Sequence, residues 1–161
     1  MGIVLDKNDR AIIKLLQEDS SISNLDLSKK IGLSPSACLA RTKNLEESGI
    51  IKQYTMIVDE KKLGLETQAF VLVNLMPLSR ESARKFVEDI RELSEVQECY
   101  MIAGNHDYIL KVVVKDMYDY KTFLIDKLLK NSTVNSVTAN IVMSEEKRTT
   151  VIPIDIEEET R

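Results

Sequence analysis

The stretch that decides the fold runs from residue 24 to residue 49 and reads NLDLSKKIGLSPSACLARTKNLEESG. Gly32 stands where a helix ends on a left-handed residue, a conformation that glycine adopts without strain. Ser34 and Pro35 then mark a helix start, because a serine hydroxyl caps unpaired amides and proline has the φ angle of a first helical turn. The pattern predicts two helices joined by a tight turn, the second running from Pro35 to about Ser48.

The elements on either side complete a small helical domain. Asp6 can cap a first helix that ends near Asp19, and Asn24 is expected to cap the second helix. Residues 50–58, which read IIKQYTMIV, are rich in β-branched and aromatic side chains and therefore predict a strand. Three helices followed by a strand form a winged-helix-like helix-turn-helix pattern, and we expect this domain to occupy residues 1–58.

The period of the apolar residues changes after a polar segment, residues 59–67, which we interpret as a linker. Beyond it, Ser79 and Asp116 are expected to cap two amphipathic helices. Four strands are predicted at 68–75, 96–103, 108–114 and 134–143, and a further strand is considered at 149–156. The first four strands and the two helices have the order β-α-β-β-α-β, which is typical of a ferredoxin-like domain. We therefore expect an α+β protein whose second domain occupies residues 68–161.

Both helices of such a domain cover the same face of its sheet. The opposite face is left open, and an open apolar face of a sheet is a surface on which a second copy can pack. Candidates for this face are Val71, Val73 and Val113. The sequence thus predicts a homodimer held together by its second domain.

Composition excludes several classes of protein. The 161 residues are 43% hydrophobic and 30% charged, which is typical of a folded globular chain. No stretch reaches the roughly 18 apolar residues of a membrane span and no signal peptide is visible, so we expect a cytoplasmic protein without a membrane partner. Two cysteines and one histidine give no recognisable metal site, and no cofactor is expected. No enzyme is expected either, since a Ser/His/Asp set and a Gly-rich phosphate loop are both lacking.

The third predicted helix has the features of a DNA-reading helix. On a helical wheel Cys38 and Leu45 point towards a small core, whereas Ser36 and Lys43 point away from it. The first domain carries eight Lys and Arg against seven Asp and Glu, and the rest of the chain carries fourteen against nineteen. The alternative is a helical corner that packs against protein. If the helix enters a major groove, the residues expected to contact DNA are Ser34, Ser36, Arg41, Lys43, Asn44, Lys52 and Gln53.

A second candidate site is the turn Gly104-Asn105-His106-Asp107. Successive backbone N–H groups after a glycine can bind a carboxylate, and Asp107 can accept a hydrogen bond from an ammonium group. Together these groups match the two ends of a free α-amino acid. A Gly-x-x-Asp sequence also occurs in ordinary β-hairpins, which leaves a purely structural turn as the alternative.

Motifs along nearly the whole chain resemble those of the leucine-responsive and asparagine-responsive regulators, the Lrp/AsnC or feast/famine family. The matching segments are Leu27-Ser28, Gly32-Leu33-Ser34-Pro35, Cys38, Arg41, Leu45-Glu46, Gly49-Ile50, Tyr54, Glu98-Cys99, Gly104-Asn105-His106-Asp107-Tyr108 and Val142-Met143. The resemblance implies a prokaryotic transcription factor that binds double-stranded DNA. It also implies dimers formed through the second domain, which assemble further into tetramers or octamers.

The resemblance further implies that an effector, expected to be an amino acid, binds between protomers and changes assembly or DNA affinity. Carried over to this sequence, the effector pocket is lined by Met101, Gly104, Asn105, Asp107, Asn140, Ile141 and Val142. His106 is expected to be an exposed turn residue, and if it lined the pocket it would make binding sensitive to pH near neutrality. Ala37, Ala40 and Lys43-Asn44 depart from residues that relatives often carry there. A second hypothesis therefore stays open: an amino-acid sensor or assembly module with little DNA binding of its own.

Overall fold

A computed structural model describes residues 4–154. The chain forms two compact units, residues 4–57 with 147–154 and residues 58–146, so it passes between the units twice. None of the described helices is long and apolar enough to cross a membrane. Within the same residues, no group of three or more His, Cys, Asp or Glu side chains is placed to hold a metal ion.

The first unit contains three helices, α1 (Lys7–Glu18), α2 (Asn24–Ile31) and α3 (Pro35–Glu47). Asp6 caps α1 as predicted, because its carboxylate accepts a hydrogen bond from the Asp9 amide at 2.9 Å. Gly32 ends α2 with a φ of +77°, in the left-handed region. Ser34 caps α3 by accepting a hydrogen bond from the Ala37 amide at 3.3 Å. The tight turn between α2 and α3 is thus confirmed.

Two predictions about this unit are wrong. The cap of α2 is Ser23 and not Asn24, because the Ser23 hydroxyl accepts a hydrogen bond from the Asp26 amide at 3.1 Å. Residues 50–58 form no strand, since within the described chain no other strand pairs with them. Met56 in this segment is 84% exposed. A β-rich composition gives a strand only where a neighbouring strand can satisfy its backbone groups.

The core of the first unit is small and includes one face of α3. Ile12 and Leu27 of the first two helices pack with Cys38 and Leu45 of α3. The Thr42 hydroxyl, on the same face, donates to the Cys38 carbonyl at 3.0 Å. The helical wheel predicted Cys38 and Leu45 in the core, which is confirmed, and the outward face of α3 is therefore the opposite one.

Residues 147–154 belong to the first unit, although the sequence had placed them in the second domain. Ile154 packs against the apolar core of the first unit. No strand forms over 149–154, and the last two residues of the strand predicted there lie outside the described residues. Near the end of this segment Ile154 packs on the helices and not at an edge of the sheet, while Val151 and Ile152 are 41% and 68% exposed.

The second unit begins with a short 3-10 turn (Lys61–Leu63) in the predicted linker. Its elements are β1 (Thr67–Leu75), α4 (Arg80–Arg91), β2 (Val96–Met101), β3 (Tyr108–Val114), α5 (Met117–Thr122), a π-helical continuation (Phe123–Leu128) and β4 (Val134–Ile141). All strand pairs are antiparallel, in the order β2-β3-β1-β4. Ser79 and Asp116 cap the two helices as predicted. The β-α-β-β-α-β order is confirmed.

The prediction for the open face of the sheet is partly wrong. Val71 and Val73 are fully buried in the core beneath the helices. Because successive strand residues alternate between faces, Phe70 and Leu72 lie on the open side, where Phe70 is 38% exposed. Val113 is on that side by the same alternation, yet it is only 7% exposed. Both faces of β1 are largely apolar, so the sequence could not tell which set of residues the helices cover.

Candidate nucleic-acid interface and effector site

The outward face of α3 presents hydroxyl, amide and ammonium groups. Ser36, Lys43 and Asn44 are exposed. Ser34 stands at the N-terminus of the helix with its hydroxyl 3.2 Å from that of Ser36. Unpaired amides and the helix dipole favour an anion such as phosphate at this end. The face can therefore contact phosphates at its start and base edges further along.

Lys52 and Gln53 are exposed in the segment that follows α3. This segment is tied to the helix because the Tyr54 hydroxyl donates to the Glu46 carboxylate at 2.8 Å. Partial burial, together with that hydrogen bond, raises the pKa of Tyr54 to about 12. The phenol thus keeps its proton at neutral pH. A carboxylate that would repel phosphate near the end of α3 is engaged by this tyrosine.

Arg41 is directed towards α1. Its Nη1 donates to Oδ2 of Asp6 at 2.7 Å and to Oδ1 of Asp9 at 2.8 Å. The side chain is one third exposed. Since both carboxylates lie at the start of α1, the ion pairs connect α3 to that end of α1. Because both carboxylates bind Nη1, a DNA contact by Arg41 has to use Nε or Nη2, or else requires Nη1 to leave them.

The electrostatics of this cluster favour its charged state. The pKa of Asp6 lies below its usual value, mainly because its carboxylate accepts a hydrogen bond from the Asp9 amide and also because the Arg41 guanidinium is adjacent. The hydrogen bonds to Asp9 and Asp6 in turn raise the pKa of Arg41. These shifts keep Asp6 and Arg41 ionised at neutral pH, and together with Asp9 they form a compact clamp between two helices.

The turn at residues 104–107 joins β2 to β3, with Gly104 and Asn105 exposed. Oδ2 of Asp107 accepts a hydrogen bond from the Leu75 amide at 2.8 Å, and the Asp107 amide donates to the Val73 carbonyl at 3.0 Å. The carboxylate predicted to accept from an ammonium group is therefore already engaged by the end of β1. Asp107 has a structural role in each protomer, whatever it contacts in addition.

The structure does not bring the two halves of the predicted effector site together within one protomer. Tyr108, next to Asp107, pairs with Val73 of β1, whereas Ile141 of β4 pairs with Ala69. The two positions are four residue steps apart on β1, which offsets them by about 13 Å along the strand at 3.3 Å per residue. A small ligand that contacts both halves needs one of them from a second protomer.

The two halves differ in what they expose. Met101, at the end of β2, is 65% exposed and Ile141 is 38% exposed, so each half offers apolar surface. Asn140 is exposed, and its amide nitrogen lies 3.5 Å from the Phe70 carbonyl, at the limit of a hydrogen bond. His106 is half-buried, contrary to the prediction, and its Nδ1 atom is buried without a hydrogen-bond partner among the described residues.

Two contacts that hold the first unit together carry little or no signal in the sequence. An aspartate at the cap and another three residues later indicate the start of α1, but nothing marks Arg41, about 35 residues away, as their partner. Gln17 contacts Ile152 across 135 residues, again without a local pattern. Such pairs become visible only when the helices pack.

Comparison with known proteins assigns one module to the first helices and another to most of the remaining chain. A winged helix-turn-helix DNA-binding model matches residues 5–52, and the Lrp/AsnC ligand binding domain matches residues 68–152. The chain belongs to the Lrp/AsnC family. With a DNA-binding module and a ligand-binding module on one chain, this Lrp/AsnC protein is an effector-modulated DNA-binding transcriptional regulator.

Individual relatives are similar over almost their whole length. The chain is 62% identical over 155 residues to the transcriptional regulator AzlB of Bacillus subtilis, covering 96% of this chain and 99% of that protein. It is 38% identical over 147 residues to the leucine-responsive regulatory protein of Escherichia coli, covering 91% and 90%. A transcriptional regulator of Neisseria meningitidis, solved in complex with L-methionine, superposes with a TM-score of 0.90 at 35% identity, covering 93% and 97%.

Proposed function

We propose that the protein recognises specific sequences in double-stranded DNA through the outward face of α3. The observation that carries this proposal is the way α3 is held: Cys38 and Leu45 fix its inner face while Ser36, Lys43 and Asn44 are exposed opposite them. A helix held by one face can enter a major groove with the other. The proposed contacts are Ser34, Ser36, Lys43, Asn44, Lys52 and Gln53.

Arg41 is a positioning residue in this proposal. Its guanidinium is engaged by Asp6 and Asp9 and is only one third exposed. The clamp fixes α3 against α1, so the angle at which α3 leaves the unit depends on it. This assignment replaces the direct DNA contact that the sequence had suggested for Arg41.

The proposed effector is an amino acid. Its support is the L-methionine complex of the Neisseria meningitidis relative, together with two half-sites that one protomer cannot join. The turn at 104–107 with Met101 forms one half, and Asn140, Ile141 and Val142 form the other. Because the pocket needs two protomers, ligand binding is linked to assembly, and assembly sets the spacing of the α3 helices.

The proposed dimer uses the open face of the sheet. Phe70 is 38% and Tyr100 is 55% exposed there, and Leu72 lies between Phe70 and Asn74 on the same side of β1. Further assembly into tetramers or octamers, and a cytoplasmic location beside the DNA, belong to the same proposal. Sedimentation equilibrium tests the assembly: a chain that stays monomeric at micromolar concentration contradicts it.

DNA binding is tested by a fluorescence anisotropy titration with a duplex taken from upstream of the protein's own gene. We expect affinity to fall steeply with salt, because several phosphates are neutralised per dimer. Lys43→Ala should weaken binding, whereas Lys121→Ala, an exposed lysine of the second unit, serves as the matched control. Failure to bind any duplex at micromolar protein contradicts the proposal and favours a sensor without DNA binding.

The effector is tested by a thermal-shift screen of the twenty standard amino acids. A ligand that binds only the folded state adds about 2.7 kcal/mol of stability at a hundredfold excess over its Kd. Met101→Ala should reduce the shift, while Met117→Ala, which is 54% exposed in α5, should leave it unchanged. Asp107→Ala is a poor test, since it also removes the acceptor of the Leu75 amide. An unchanged shift in Met101→Ala contradicts the pocket.

A further inference from the structure

The segment after β4 makes a specific contact with the helical unit. The side-chain amide of Gln17, in α1, donates to the Ile152 carbonyl at 3.2 Å and accepts from the Ile152 amide at 2.6 Å. Two residues further along, Ile154 packs against the apolar core of the same unit. Two exposed hydrogen bonds at Ile152 and the partial burial of Ile154 together dock the end of this segment on the helices.

The contact depends on the chemistry of a carboxamide. Glutamine offers one donor and one acceptor on the same planar group, so it can pair with both backbone groups of one residue, as a neighbouring strand does. A methionine in place of Gln17 has similar length but can make neither hydrogen bond. The pairing holds the backbone at Ile152 in one register on α1.

This segment directly follows β4, so it connects the proposed effector site to the helical unit. Asn140, Ile141 and Val142 form the β4 half of the proposed effector site, and the Val142 amide is anchored to the Gln68 carbonyl at 2.9 Å. Only ten residues lead from Val142 to Ile152, a span of at most about 35 Å when fully extended. The helical unit is therefore linked to the second unit through the chain after residue 57 and again through this segment.

We propose that residues 143–154, the C-terminal tether, couple occupancy of the effector site at the end of β4 to the presentation of α3, through docking on Gln17. This inference rests on the proposed effector function and names its route of regulation. With two connections, the helical unit has fewer accessible orientations than with one. If the effector has different affinities for the docked and the undocked state, its binding shifts the populations of these two states. The orientations open to the helical unit then change, and DNA affinity changes with them.

A purely structural tether makes a different prediction. If the segment only stabilises the helical unit, undocking lowers the melting temperature and leaves the response to effector unchanged. If the segment couples the effector site to the DNA-binding helix, undocking moves the ratio of the DNA affinities with and without effector towards 1. Because coupling between binding sites is reciprocal, the affinity of the effector must then also depend less on bound DNA.

The experiment compares the full chain with Gln17→Met and with a chain that ends at residue 146. Gln97→Met is the matched control, because Gln97 donates to the Ser94 carbonyl at 2.9 Å and is exposed in the second unit. Hydrogen exchange at the Ile152 amide reports docking in the full-length chains. DNA affinity with and without L-methionine or L-leucine reports coupling.

We expect Gln17→Met to speed exchange at Ile152 and both tether variants to move the affinity ratio towards 1. The ratio of the unaltered chain is expected at about 5- to 150-fold, the usual range for coupled sites. Gln97→Met should keep the ratio of the unaltered chain. Exchange at Ile152 that is already fast in that chain, or a ratio that survives in both tether variants, overturns the inference. An unaltered chain whose melting temperature shifts with none of the twenty amino acids in the thermal-shift screen instead refutes the effector function on which the inference rests.

Discussion

Replacing Arg41 with methionine separates a positioning arginine from one that contacts DNA. The substitution keeps the apolar stem and removes the guanidinium from Asp6 and Asp9. A hydrogen bond to a charged group contributes about 1.5–3 kcal/mol when sheltered, and an exposed ion pair about 0.2–1 kcal/mol. Because the side chain is one third exposed, two contacts should amount to a loss of about 1–2 kcal/mol in the free energy of unfolding.

The assay has two parts. Urea denaturation followed by far-UV circular dichroism measures the loss of stability, and a double-mutant cycle with Asp9→Asn isolates the ion pair from the rest of the change. Anisotropy titrations at several salt concentrations measure how many phosphates the protein neutralises. Removing one phosphate contact lowers the slope of log affinity against log salt by about 0.9.

The two variants Arg41→Met and Lys43→Met should therefore behave in opposite ways. Arg41→Met is expected to lose stability and keep the salt slope, while Lys43→Met should keep its stability and lose about 0.9 of slope per bound protomer. If Arg41→Met proves as stable as the unaltered chain and loses slope as Lys43→Met does, its guanidinium leaves the carboxylates for DNA. The assignment of Arg41 as a positioning residue is then refuted.

Three further predictions concern the fold. Gly32→Ala should lower the free energy of unfolding in urea by about 1–2 kcal/mol, because alanine is strained at a φ of +77°. An added Cβ would meet nothing within 4 Å, so the loss comes from the backbone alone. An unchanged stability would contradict the left-handed φ at this turn. Because the pKa of Asp6 is lowered in the folded chain, its carboxylate adds stability that is fully present above pH 3.8 and is lost as the pH falls through the lowered pKa. Urea denaturation at a series of acidic pH values should therefore show a smaller loss of stability in Asp6→Asn than in the unaltered chain. The same pH dependence in both proteins would contradict this. Val71→Ala should leave a cavity in the core and lower the free energy of unfolding by about 2–3 kcal/mol in urea denaturation. Phe70→Ala should instead raise the dimer dissociation constant measured by sedimentation equilibrium. The reverse pattern would mean that the faces of β1 are misassigned.

Local rules predicted most of the fold because most of its boundaries are set by neighbours in sequence. Ser34 and Gly32 act through hydrogen bonds and a φ angle within a few residues, so the corner before α3 could be predicted directly. The inward face of α3 followed from helical periodicity in the same way. These features depend on short segments and hold in any packing arrangement of the helices.

The candidate sites were predicted less completely, and the reason is again physical. Sequence spacing indicated that Arg41 could reach phosphate, but the packing of α3 on α1 decided that it meets two carboxylates. Asp107 is likewise a residue type suited to a ligand site. The register of β1 places the Leu75 amide beside it, however, and its carboxylate accepts a hydrogen bond from that amide. A charged side chain pairs with the opposite charge that tertiary packing brings close to it. The order of residues along the chain does not reveal which charge that is.

By itself the sequence determined the capped helical corner, the β-α-β-β-α-β order and the family to which the chain belongs. Tertiary structure alone decided which face of β1 the helices cover, where the chain after β4 docks, and that the two proposed half-sites are offset by about 13 Å along β1. The first group rests on hydrogen bonds and periodicities within short segments. The second rests on contacts between residues as much as 135 positions apart, whose energies exist only once the elements have packed.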